Sequence, residues 1–475
     1  MRVVLLGTIV FVGITYTWYT RLDERNPDRN YNYYSELARS FKRGYLYLAE
    51  EPSSALLALD NPYDYFLRKQ EGVEDFPWDV SLYKNKFYIY WGPAPALCLL
   101  PFSDKTLVKI EDHHIALAFA FGLFLYAALI AAVFWRRLKN APIWVFGISL
   151  FVLALSIPTV TMLSGANIYE TAIFACQFFF IGGCYWAYSS FRDNAPSEWK
   201  LALASIHWGL AVGSRMTILP VVAFAAGVSL FGVAKRSGRN KLKQILSNLA
   251  VLGAPLLVTG VLLGWYNWAR FDSVLEFGIQ YQLTNVNYIE FKDSFSVRYI
   301  PGNLEHYFIH PISVKPRFPF ISPVEFTASN ARLAGLLYVA PFILLIFSPL
   351  PRMIMSWGRK HQAAEETNHD AENWMGLLLG GSAFIAALII LAFYFVTMRY
   401  MEDFMPSLLL LTILLVGREY QALSGVPGSR MVLSLFVIVT GIINLVAGLL
   451  IAMPAGGVAF MVNLLNSISK VLGFK

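Results

Sequence analysis

The chain has 475 residues, 56% of them hydrophobic and 15% charged, with a mean hydropathy of +0.51. A soluble protein of this length exposes far more polar surface, so composition excludes that class and points to the membrane. The formal net charge of +7 collects in short loops between apolar runs, which makes it a topology signal and not a nucleic-acid footprint.

Crossing the hydrocarbon core as a helix takes about 20 apolar residues. Such runs lie near 3–20, 113–135, 142–162, 169–190, 200–214, 216–234, 247–268, 331–350, 374–396, 403–417 and 431–452. They predict an all-α polytopic membrane protein with about eleven transmembrane helices, the 200–214 run being short for a full span. One transmembrane domain covers 1–452. The remaining 453–475 is a C-terminal segment, amphipathic or a twelfth membrane element. The first run sits where a signal peptide would, but it ends in Tyr16, Trp18 and Tyr19 instead of small residues, which suits an uncleaved anchor.

Lys and Arg fall in alternate loops: Arg136, Arg137 and Lys139; Lys235, Arg236, Arg239, Lys241 and Lys243; Arg352, Arg359 and Lys360; Arg418 and Arg430. All four lie on one face, which the positive-inside rule makes cytoplasmic. The two long loops, 21–112 and 269–330, then lie outside.

The first of these loops has structure of its own. Tyr33, Tyr34, Leu37, Ala38 and Phe41 recur at helical spacing opposite Glu36, Arg39, Lys42 and Arg43, with Gly44 as a stop. This predicts a short amphipathic helix on the membrane surface. Residues 81–90 read as a small hairpin turning at Asn85, and the apolar stretch 96–102 is too short to span. Cys98, Cys176 and Cys184 sit in apolar stretches and form no disulfide framework.

Carboxylates and arginines cluster at the outer helix ends. Asp23, Glu24 and Asp28 follow the first helix, where an acid either faces water or takes a proton from an attacking hydroxyl. Glu170 opens the fourth helix after a short turn, as a cap favoured by the helix dipole or as a functional, partly desolvated acid. Arg215 breaks the fifth and sixth runs and Arg399 the ninth and tenth. Each either snorkels to lipid phosphates or holds a ligand phosphate, for which the planar guanidinium fork is suited. The stretch 267–282 is rich in polar and aromatic groups of the kind that bind sugars. His306 and His310 are four residues apart without a third ligand in phase, and no Asp-x-Asp occurs. Gly209/Gly213, Gly260/Gly264 and Gly376/Gly380 have the spacing of helix packing.

This layout resembles the GT-C superfamily of membrane glycosyltransferases, whose relatives include protein O-mannosyltransferases and lipid A aminoarabinose transferases. Asp23/Glu24/Asp28, the 32–44 helix, Glu170 and Arg215 occur in the order of that superfamily's landmarks. Strings such as Tyr33-Tyr-Ser-Glu-Leu-Ala, Asp79-Val-Ser-Leu-Tyr-Lys, Arg270-Phe-Asp, Glu276-Phe-Gly and Tyr281-Gln-Leu look most like an uncharacterised bacterial family within it. The resemblance covers most of the chain to about residue 410.

It implies an inverting transferase that moves a monosaccharide from a polyprenyl-phosphate donor to a lipid, glycan or protein acceptor. The site would face outward from the inner or plasma membrane of a bacterium. A first-loop carboxylate (Asp23, Glu24 or Asp28) would be the base, with Glu170 in support. Arg215 and Arg399 would bind the donor phosphate. Tyr33, Tyr34, Asp79, Tyr83, Glu276 and Tyr281 would contact the sugar or acceptor. No metal or other cofactor is expected, because the arginines supply the charge stabilisation. Two alternatives stand beside it: a lipid or sugar transporter or flippase, and an oligosaccharide ligase using a pyrophosphate-linked donor.

Overall fold

The computed structural model describes residues 1–23, 32–191, 196–236, 241–326, 331–356 and 370–453, with 457, 458 and 461. Among these residues, seven helices are long and apolar enough to cross a membrane: Arg2–Arg21, Asp112–Trp135, Ile168–Phe191, Met216–Lys235, Leu242–Phe271, Ala371–Leu391 and Pro427–Ile451. Strands are few and short. The protein is thus an all-α membrane-type bundle.

Ile168–Phe191 is the axis of the bundle, 83% buried, and packs between Asp112–Trp135 and Glu198–Ser214. Close approach here depends on Gly183, where a Cβ would stand 2.4 Å from the indole nitrogen of the fully buried Trp208. A methyl group at that position would overpack the core, at a cost of about 1–3 kcal/mol. Leu242–Phe271 is the opposite case. It is only 11% buried and shows Leu257, Val261, Trp265 and Trp268 outward, as a lipid-facing helix with interfacial aromatics does.

Two of the apolar runs do not form single helices. The 142–162 run divides into Ile143–Leu155 and Thr159–Leu163, because Ser156 leaves the helix in an extended conformation (φ −72°, ψ 152°) and Pro158 has no N–H to donate. The 331–350 run is not a transmembrane helix. It becomes the strand Ala331–Leu333, the turn of helix Leu336–Val339 and the 3-10 segment Pro341–Phe347, followed by Leu350–Ser356. Pro341 and Pro349 remove the donors that a continuous helix needs. The C-terminal 453–475 segment lies almost wholly outside the described residues.

Three of the four basic loops meet at one end of the bundle. Arg137 pairs with Glu372, Arg352 with Glu419 at 3.0 Å, and Arg418 donates to Asn373 at 2.9 Å. Arg430 reaches the Asn140 carbonyl.

The two long loops form the other end, around their own hydrophobic core. The helix Tyr33–Lys42 buries Tyr34, Leu37 and Ala38 completely, the face expected from its periodicity, and Gly44 follows at φ +80°. Ser81–Tyr83 and Lys86–Tyr88 pair antiparallel across Lys84 and Asn85, both with positive φ as a tight I′-type turn requires. Ser81 also bridges to Gln282, and Leu283 donates to the Val80 carbonyl at 2.8 Å. Arg270 donates to the Ile89 carbonyl at 2.7 Å. The second loop is therefore stitched onto the first. It continues into the helix Ile300–Ile309 and an antiparallel sheet of Ile312–Val314, Ile321–Phe326 and, just after the loop, Ala331–Leu333.

Candidate functional site

Five pieces of chain converge beneath the joined loops: the segment around 79–92, the turn before Ile168–Phe191, the end of Glu198–Ser214, the segment 284–299, and the 3-10 helix Met398–Asp403. Gly92 fixes the first against the third. Its amide donates to Ser214 O at 3.3 Å, and a Cβ there would lie 2.0 Å from Gly213 O, so no side chain fits.

Arg215 ends its helix in an extended conformation (φ −154°, ψ 117°), which turns the side chain away from the helix axis. Its Nη1 donates to Asp403 Oδ1 at 2.7 Å, and its guanidinium carbon lies 5.2 Å from the Tyr400 ring centre. The other oxygen of Asp403 is buried without a hydrogen-bond partner among the described residues. Arg399 reaches the same ring from its other neighbours, 5.5 Å from Tyr400 and 4.4 Å from Tyr169. Its Nε is buried and has no hydrogen-bond partner among the described residues. Two cations thus flank one tyrosine.

Glu170 is 6% exposed and accepts from the Asn167 amide at 3.1 Å, so it caps its own helix. It also lies within the electrostatic reach of Arg399. The capping and the site readings coexist in one side chain.

Asp79 is the most unusual group. It sits in the first loop at φ +61°, a left-handed conformation that Asp tolerates better than most residues. Its amide donates to Leu283 O at 3.1 Å, so the joint between the loops sets this conformation. The side chain is 6% exposed, and one of its oxygens has no hydrogen-bond partner among the described residues. Burial pushes the carboxyl up to about 6, against hydrogen bonds from Thr284 and Gln282 and the positive charge of Arg399. Tyr90, Tyr288 and Tyr394 all feel the charge of Asp79. Tyr288 and Tyr394 share a hydrogen bond of 2.9 Å, and Tyr90 stacks on Trp91 at 3.9 Å. Burial raises the Tyr90 and Tyr288 phenols, which keeps both as protonated donors.

The remaining expected residues divide. Tyr33 donates to Trp78 O at 2.8 Å and belongs to the loop core. Tyr34 is buried there too, but its hydroxyl lacks a hydrogen-bond partner among the described residues and lies in the field of Arg215, at the edge of the site. Tyr83, Glu276 and Tyr281 gather in a separate outer cluster. Tyr83 donates to Asp272 at 2.8 Å and packs on Tyr281 at 4.6 Å, while Glu276 accepts from Gly278 and Gln280, each at 2.6 Å. Glu24, Asp28 and the side chain of Asp23 lie outside the described residues.

Sequence reasoning passed over Asp403, Tyr90, Tyr288, Tyr394 and Tyr400. Glu402 and Asp403, two adjacent acids inside an apolar stretch, were a readable signal. Among the described residues, no group of three or more His, Cys, Asp or Glu side chains is placed to hold a metal ion. His306 and His310 lie 6.0 Å apart by ring centres and pack on Phe326. Chemically, the cluster offers a buried carboxyl tuned towards neutrality, two guanidinium groups and a rim of phenol donors. Compared with family models, with curated proteins and with solved structures, the chain matches none.

Proposed function

We propose that the chain is a GT-C-type membrane glycosyltransferase with about eleven membrane-crossing segments. In this reading it transfers a monosaccharide, with inversion, from a polyprenyl-phosphate donor to an acceptor at the outer face of a bacterial inner membrane. The observation that carries it is the placement of the buried Asp79 carboxyl within the electrostatic reach of Arg399. A buried carboxyl with an unmatched oxygen stands in the field of a half-buried guanidinium whose Nε is also unmatched. A buried carboxyl whose pKa is shifted by burial beside a specific charge is a candidate functional group.

In the proposed reaction Asp79 takes the proton of the acceptor hydroxyl. The acceptor oxygen forms a bond to the anomeric carbon, and the bond from that carbon to the phosphate oxygen breaks. The phosphate leaves with the electron pair, held by Arg399, while Arg215, its charge balanced by Asp403, supports the Tyr400 ring that Arg399 also faces. A carboxyl near neutrality suits this work, because it is ionised at pH 7 yet basic enough to accept a proton. The base thus remains a first-loop carboxylate, but a different one from Asp23, Glu24 or Asp28. Glu170 orients Arg399. The scheme needs no metal, so turnover survives EDTA.

The direct test incubates purified protein with a panel of radiolabelled polyprenyl-phosphate sugars and follows donor consumption. Amide variants at Asp23, Glu24, Asp28, Asp79 and Glu170, measured in single turnover at saturating donor, assign the base. Full activity of Asp79→Asn rules it out of that role.

One observation favours the transporter reading. Glu402 is 1% exposed and accepts from Thr159 at 3.0 Å, beside a water-sized cavity lined by Tyr16, Phe124, Leu153 and Leu409. Buried acids among membrane helices often serve proton or ion movement. That reading predicts substrate uptake into proteoliposomes with no consumption of the glycosyl donor.

A further inference from the structure

Beside the candidate site, an open cavity of about 290 Å³ lies between the helix Ile300–Ile309, the strand Ile321–Phe326 and the segment 394–396. The volume falls near the lower end of the range for small-ligand sites, roughly 300–1,000 Å³. Its walls alternate rings with polar groups: Tyr299, His306, Phe326 and Tyr394, with Asn303 and Arg298 between them. His306 packs against Phe326 with ring centres 4.3 Å apart, yet its Nδ1 is buried with no hydrogen-bond partner among the described residues.

The lining is preorganised. Arg298 donates to Asp293 at 2.8 Å and to the Tyr299 hydroxyl at 2.9 Å, and Tyr299 donates to the Asp293 carbonyl at 3.0 Å. Asn303 donates to the carbonyls of Leu391 and Phe393, both at 2.8 Å. The pairing with Asp293 cancels the charge of Arg298, and burial beside His310 lowers the His306 pKa, so the cavity is close to neutral at pH 7. Tyr394 closes the side towards Asp79 through its bond to Tyr288.

We propose that this cavity binds a neutral glycosyl unit and delivers it to the Asp79–Arg399 site. Aromatic faces with interspersed hydrogen-bonding groups suit a sugar ring, and the absence of net charge disfavours the phosphate end, which the arginines take. The inference deepens the transferase reading and rests on it for the link to chemistry. The glycosyl unit belongs either to the acceptor or to the donor, and both sources present the same chemistry to the cavity.

The test uses the full chain in detergent and five methyl glycosides (of glucose, galactose, mannose, N-acetylglucosamine and arabinose), read by saturation-transfer NMR. Gly302 lines the cavity, and a Cβ there meets nothing within 4 Å. Gly302→Phe therefore fills the space without disturbing the core. At least one glycoside should bind, at least tenfold more weakly in Gly302→Phe, and more weakly in His306→Gln, with Arg399→Gln unaffected. Displacement by farnesyl-phosphoryl-glucose but not by farnesyl phosphate assigns the unit to the donor. Continued binding beside both assigns it to the acceptor, and either result supports the proposal. Binding of none of the five, or unchanged binding in Gly302→Phe, overturns it. Donor turnover with no glycoside binding rejects the cavity alone, and glycoside binding with no turnover on any polyprenyl-phosphate sugar rejects the transferase reading alone.

Discussion

Arg215 and Asp403 stand 188 positions apart in the chain and meet at 2.7 Å, with side chains only 14% and 8% exposed. Removing one member of such a pair leaves the other buried and uncompensated, which typically costs about 3–5 kcal/mol. Arg215→Gln should therefore lower the thermal stability in detergent sharply. Arg215→Met combined with Asp403→Leu should recover most of the loss. Equal stability of Arg215→Gln and the parent protein would contradict this structural role.

Arg399 lies between the Tyr169 and Tyr400 rings, in the field of Glu170. Arg399→Gln should weaken donor binding with a smaller loss of stability than Arg215→Gln. Loss of a charge-assisted contact is worth about 1.5–3 kcal/mol, roughly ten- to over a hundredfold in Kd. Titration of a fluorescent polyprenyl-phosphate sugar into both proteins measures it, and a Kd within twofold of the parent rejects phosphate binding by Arg399.

Asp79→Asn should separate stability from activity. The folded protein holds the Asp79 proton more tightly than an unfolded chain does, from 3.8 up to about 6. The ionised group therefore costs stability, and the cost grows as pH rises from about 4 through 6. At pH 7 the difference corresponds to roughly 3 kcal/mol. The amide cannot ionise and also accepts a left-handed φ. Asp79→Asn should be more stable than the parent at pH 7, equal to it near pH 4, and slower in transfer by several orders of magnitude. Thermal melts at the two pH values, with single-turnover rates, check all three parts.

In the proposed mechanism the same carboxyl sets the pH dependence. Transfer at saturating donor should fall as pH drops below about 6, because protonated Asp79 is no longer a base. Donor affinity should move the other way, since a phosphate anion binds more readily beside a neutral acid than beside a carboxylate. A rate that stays flat from pH 5 to 8, with chemistry shown to be rate-limiting, would exclude Asp79 as the base.

Local pattern made part of this legible in the sequence. The face of the helix Tyr33–Lys42 follows from apolar periodicity, and the hairpin turn at Asn85 from turn chemistry. Arg215 and Arg399 stood out as charges in apolar sequence, and the structure brings both to Tyr400. The special position of Asp79 was not legible. Its buried, left-handed conformation arises from pairing with Leu283, about 200 residues away, and no local pattern encodes that register. The 331–350 run misled because apolar composition alone does not separate a helix from strand and 3-10 pieces, although Pro341 and Pro349 marked the break.

The ladder between the two long loops carries a consequence for protein engineering. Val80 and Leu283 are hydrogen-bonded, Ser81 faces Gln282, and Arg68 reaches the Thr284 carbonyl, so the position of Asp79 is held jointly by both loops. A chimaera that takes only one loop from a related protein would mismatch this seam and misplace the carboxyl even if every site residue were kept. Exchange of specificity between relatives would require the two loops to be transplanted as a matched set, and they would be expected to diverge together.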